Sequence, residues 1–180
     1  MSSSAGSGPR LPTSLSSDLL TLYLNDHLAG AVFGSQLARR ALAANRGTEF
    51  ETFLVDLTDA LDEDRRELEG VIDRFGIPTD RLRLGAGWLA EKIGRLKPNG
   101  QLRGYSPLSR LLELEGLSGG ILAKLSLWRA LRAIAPGDER LDADHLDHLI
   151  GRAESQLQGL ADMQARAAEI ALRSGGPAAV

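Results

Sequence analysis

Between Phe50 and Phe75 an apolar side chain recurs at steps of four and three residues, through Leu54, Leu57, Leu61, Leu68 and Val71. One carboxylate, Asp64, stands in the series. Such steps hold a side chain on one face of a helix, here for about seven turns. The segment must therefore be helical, and other helices must cover its seam. An unpaired charge buried in a seam costs several kcal/mol, so Asp64 needs a partner. The search for that partner organises what the rest of the chain can be.

A chain of 180 residues suits a single domain with a substantial core. Aromatic residues make up only 4%, so Leu and Ala carry most of the 43% hydrophobic content, a mixture that favours helix over strand. The net charge of -3 offers no basic face for nucleic acid. With no cysteine, disulfide scaffolds, thiol catalysis and iron–sulfur clusters are excluded. No apolar run reaches the roughly eighteen residues a membrane span needs, so no membrane partner is expected. Residues 1–14 are rich in Ser and Gly without the apolar middle of a signal peptide. They read as a flexible tail, as do residues 174–180, leaving one helical domain over 15–173 and a cytoplasmic location by default.

Four long helices follow from the punctuation. Helix A runs from about Leu15, with Ser14 or Ser16 as cap, to Asn45, where Asn45-Arg46-Gly47 supplies a left-handed stop. Thr48 and Glu51 match a capping box, so helix B starts almost at once and A and B lie antiparallel. Gly76-Ile77-Pro78 closes B. Residues 77–105 hold several Gly and Pro and one short helical stretch near Trp88 to Leu96, which reads as a long crossover. Ser106-Pro107 opens helix C, which Pro136-Gly137 stops. Helix D starts near Asp138 or Asp142 and runs to about Arg173.

This outline resembles the ferritin-like superfamily over Leu15 to Arg173. The resemblance implies an all-α, ferritin-like four-helix bundle with a long B–C crossover carrying a short extra helix. Iron-handling members place a Glu on A and C and a Glu-x-x-His on B and D. Here the histidines are His27, His145 and His148, helix B has none, and no Glu-x-x-His exists. The nearest equivalents are Asp64-Arg65-Arg66-Glu67 on B and Glu154-Ser155-Gln156-Leu157 on D. The usual two-metal centre cannot be assembled, so no cofactor is expected.

Heights along the bundle suggest what replaces it. At about 1.5 Å per residue, Asp64 lies roughly 24 Å and His27 roughly 28 Å from the A–B turn. If 77–105 is a crossover, the matching level on C is near Ala123 and Lys124. Lys124 also interrupts a seam: Leu114, Leu117, Ile121, Trp128 and Leu131 carry the same spacing. Helix D offers Ala153, Glu154 and Gln156 at that level. A buried polar layer of His27, Asp64, Lys124 and Glu154 is expected. A second seam on C, through Leu108, Leu111, Glu115, Ser118, Leu122 and Leu125, would instead let Lys124 snorkel outward. The sequence leaves both open.

Other constellations are weaker. Asp144, His145 and His148 cluster near the start of helix D, where acids commonly answer the helix dipole; a surface metal site is the alternative. Small residues one turn apart, Gly30 and Gly34 on A and Gly116 and Gly120 on C, suggest close backbone approach of A to C, or of two subunits. The leading expectation is a metal-free or metal-poor bundle with a binding, scaffolding or interaction role. The alternative is a carboxylate–histidine metalloprotein holding iron or manganese through His27 and Asp64 with Glu115 or Glu154. A third is a homo-oligomerisation module with unknown partners.

Overall fold

The computed structural model describes residues 13–78 and 105–173. Four helices account for nearly all of them: α1 (Thr13–Ala44), α2 (Glu51–Arg74), α3 (Pro107–Ile134) and α4 (Ala143–Arg173). The described residues contain no strand, so the fold is an all-α bundle. The expected short helix near Trp88 to Leu96 and the crossover that would carry it lie outside the described residues.

Side-chain contacts fix the helix directions. At one end Asn45 Nδ2 donates to the Tyr105 hydroxyl at 2.7 Å, and the Arg110 guanidinium lies 4.5 Å over the Phe50 ring. The end of α1 and the starts of α2 and α3 therefore meet. At the other end Arg74 donates to the Arg140 carbonyl at 3.0 Å, and Arg140 lies 4.0 Å over the Phe75 ring. So α2 and α3 run parallel to each other and antiparallel to α1. Contacts from Arg152 to Glu63 and from Arg166 to Glu49, each 2.9 Å, turn α4 antiparallel to α2.

The seam that opens the sequence analysis is the core stripe of α2: Phe50, Leu54, Leu57, Leu61, Leu68 and Val71 are buried, with Asp64 among them. On α3, Leu114, Leu117, Ile121, Trp128 and Leu131 are buried while Leu108 and Leu122 are exposed. That register aims Lys124 inward. The α4 stripe is Leu146, Leu149, Ala153, Leu160 and Ala167.

The junctions differ in detail from the punctuation read in the sequence. The α1 helix starts at Thr13, which places Ser14 and Ser16 inside the helix rather than at its cap. Gly47 does take the left-handed conformation, φ 74°. The capping box is displaced: Glu51 accepts from the Gly47 N–H at 2.6 Å, and Thr48 accepts from the Phe50 N–H at 3.3 Å. Phe50 rather than Thr48 is the cap residue, because its apolar ring is drawn into the core. Gly76, with φ 65°, ends α2, and the Ile77 N–H closes back on the Ile72 carbonyl at 3.2 Å. Ser106 caps α3 by accepting from the Ser109 N–H at 3.1 Å. Asp142, not Asp138, caps α4, accepting from the N–H groups of Asp144 at 3.0 Å and His145 at 3.1 Å. Asp138 instead binds Arg140.

Candidate functional site

Asp64 is 3% exposed at its side chain and reaches both other sides of the bundle. Its Oδ2 accepts from Lys124 Nζ of α3 and from Gln156 Nε2 of α4, the latter at 3.0 Å. Its Oδ1 accepts from Arg152 of α4. Gln156 turns its carbonyl oxygen to the Lys124 ammonium, so the three groups close a ring of hydrogen bonds. The second arm of Arg152 takes Glu63 at 2.9 Å, at the surface. One buried carboxylate thus answers two cations. Burial pushes the Lys124 amine below its ordinary value, the field of Asp64 pulls it back up, and Arg152 pushes it down again.

The structure places the other expected members of this layer differently. His27 is half-buried, packs edge-to-face on Tyr23 with ring centroids 4.5 Å apart, and forms no ion pair with Asp64. Burial holds its imidazole below the usual range, with Asp26 pulling the other way. Glu154 is not in the layer. Its side chain is 51% exposed and pairs with Arg129 at 2.7 Å. The reason is angular: residues two apart face opposite sides of a helix, and Gln156 already holds the inward side. Arg152 and Gln156, one turn apart, take the role given to Glu154. Gln156 was legible, since the series Leu146, Leu149, Ala153, Gln156, Leu160, Met163, Ala167 breaks there by the same rule that found Asp64 and Lys124. Arg152 has no such signature.

The alternative ligand sets do not assemble. Glu115 is exposed. His145 turns to Glu67 of α2 at 2.8 Å, while Asp144 and His148 are exposed. Among the described residues no three His, Asp or Glu side chains gather in a way that would hold a metal ion. Both Asp64 oxygens are already engaged by cations, which a metal would have to displace.

Beside the charged layer, between α1, α2 and α3, lies a cavity of about 180 Å³. Leu61 and Leu68 of α2 and Leu117, Ile121 and Trp128 of α3 supply its apolar walls. Asp64, Lys124 and His27 supply its polar ones. Gly30, Gly34 and Gly120 border it, and Gly30 and Gly120 are exposed, so the mouth opens between α1 and α3. A Cβ built at any of these three glycines would meet nothing within 4 Å. Of the small residues expected to let α1 and α3 approach, Gly116 alone is crowded by α1, where an added Cβ would come within 3.2 Å of the Leu37 side chain. The other three leave space instead. Trp128 is 1% exposed, and its indole N–H is buried with no acceptor among the described residues.

No family model, curated protein or solved structure matches this chain. The reading of the site therefore rests on its own geometry.

A second polar cluster sits at the far end of the bundle. Asn45, fully buried, donates to the Ala41 carbonyl at 2.7 Å and to the Tyr105 hydroxyl, and accepts from Arg110. Tyr105 in turn donates to Glu113 at 3.0 Å, and Arg40 reaches the other Glu113 oxygen at 2.9 Å. Burial pushes the Tyr105 phenol up to about 12, outweighing the Asn45 hydrogen bond, which pulls it down. The cluster ties the α1–α2 turn to the start of α3.

Proposed function

We propose that this protein is a metal-independent helical bundle of ferritin-like arrangement whose role is binding, with a small, largely apolar ligand held between α1, α2 and α3. The helix directions support the arrangement: α2 and α3 run parallel, as two long helices joined by a crossover must. The observation that carries the binding role is the set of cavity-lining glycines. A glycine inside a helix costs up to about 1 kcal/mol relative to alanine. At Gly30, Gly34 and Gly120 nothing in the protomer crowds the missing side chain. Stability spent on keeping a cavity open points to an occupant.

The metalloprotein reading has less to stand on. Glu115 and Glu154 face away, leaving His27 and Asp64 without a third ligand. Elemental analysis tests it directly, since iron or manganese in stoichiometric amount would displace the binding proposal.

Ligand-observed NMR with a panel of compounds of benzene-like size is the positive test. Gly34→Leu and Gly120→Leu each introduce a side chain at the cavity border and replace glycine by a better helix former, so both are expected to fold. Panel members should bind the unaltered protein and lose binding in these variants while thermal stability is kept. Binding by no compound, or equal binding in all three proteins, defeats the proposal.

A further inference from the structure

A groove of about 920 Å³ lies at the end of the bundle away from Asn45, framed by the start of α1 and the ends of α2 and α3. Leu19, Leu22 and Ile134 meet there, 66%, 55% and 47% exposed, with Phe75 and Ile77 beside them. A lone exposed leucine needs no explanation, but a contiguous apolar patch does. Two stretches of the chain adjoin the groove and lie outside the described residues: 1–12, ahead of α1, and 79–104, which follows Pro78. Composition separates them. Residues 1–12 are mostly Ser, Gly and Pro, with Met1 and Leu11 as their large apolar side chains, whereas residues 79–90 carry Leu82, Leu84, Trp88 and Leu89. Charge favours the same stretch. Asp138 is held by Arg140, which leaves Asp26 as the acid of the groove with no ion-pair partner among the described residues. Residues 79–90 bring two cations, Arg81 and Arg83, against the single acid Asp80.

We propose that the groove is the docking site of residues 79–90 of the same chain, with Leu82 and Leu84 set against Leu19, Leu22 and Ile134, and with Arg81 or Arg83 answering Asp26. Reach permits it. Ile77 already lines the groove, so the stretch starts inside it. Along α1 the groove runs from Leu19 to Asp26, about 10 Å at 1.5 Å per residue. The six residues after Pro78 can span about 20 Å, which brings Leu82 and Leu84 to any part of the groove. A second copy of the chain is the competing occupant. It would have to meet the cost of association, which a tethered stretch does not. It would also leave Leu82 and Leu84 to find burial elsewhere. The groove shares no lining residue with the cavity beside Asp64, so its occupancy is independent of the binding role proposed above.

The absence of cysteine makes the full chain a clean host for cross-linking. Leu84→Cys is combined either with Leu22→Cys in the groove or with His148→Cys, an exposed position near the start of α4 at the same end of the bundle. The pair with Leu22→Cys is expected to close an intramolecular disulfide about tenfold or more faster than the pair with His148→Cys. Limited trypsin digestion gives a second reading that needs no cysteine. Leu22→Ser, a change at an exposed position, should speed cleavage after Arg81 and Arg83 several-fold and lower the melting temperature. Equal rates for the two cysteine pairs, or cleavage unchanged by Leu22→Ser, overturn the proposal. So does a disulfide that joins two chains through Leu22→Cys alone, together with a dimer that Leu22→Ser dissociates, since the groove then belongs to a second copy.

Discussion

At the scale of single residues the asymmetry around Asp64 matters most. Removing its charge strands two cations, one of them Lys124 in a mostly apolar wall. Removing Lys124 leaves Asp64 still paired with Arg152 and Gln156. Asp64→Asn should therefore cost roughly 3–5 kcal/mol, the range for a broken buried ion pair. Lys124→Met, similar in volume and relieved of a desolvation burden that outweighs its attraction to Asp64, should cost much less. Urea denaturation of the two variants measures the difference, and equal losses would contradict the account. His27 supplies a pH dependence. Its folded value is depressed below 6.5, so the unfolded chain binds the proton more readily. The stabilisation is complete above that value and is lost as pH falls through the folded one. A His27→Phe variant should lose less stability than the parent between neutral pH and pH 5, read from melting temperatures across that interval.

At the scale of helices, two glycines make opposite predictions for one substitution. At Gly120 the added methyl group meets nothing within 4 Å, so Gly120→Ala should stabilise by up to about 1 kcal/mol through helix propensity alone. At Gly159 of α4 the same methyl would come within 2.9 Å of the Phe53 ring of α2. That clash should outweigh the propensity gain and make Gly159→Ala destabilising by about 1–3 kcal/mol. Thermal unfolding of the two proteins side by side gives both signs. The helices themselves were readable at this scale, because seams, Gly stops and the Ser106 cap are local signals. The Phe50 cap was not, since the burial of that ring depends on α3 and Arg110.

At the scale of the whole molecule, polar clusters sit at two heights in the bundle; the Asp64 cluster joins α2, α3 and α4, and the Asn45 cluster joins the α1–α2 turn to α3. Asn45→Ala would leave the Tyr105 hydroxyl and Arg110 short of a partner inside the bundle. It should cost about 1–3 kcal/mol for each group left unsatisfied, measured by denaturation, and should raise amide exchange at the start of α3. This cluster had little sequence signature, because its members lie about 60 residues apart in the chain and carry ordinary loop and helix-end chemistry.

The sequence alone determined which face of α2 turns inward and that Asp64 interrupts it; on α3 it left two seams open, and the burial of Leu114, Leu117, Ile121, Trp128 and Leu131 with Leu108 and Leu122 exposed chose the one that holds Lys124. Periodicity records the α2 seam locally, and reading it needs no knowledge of neighbours. Only the tertiary structure decided that α4 answers Asp64 with Arg152 and Gln156 while Glu154 faces out, and that Gly30, Gly34 and Gly120 border a cavity. Empty volume is the remainder after side chains from three helices have been placed, and no single stretch of sequence carries it.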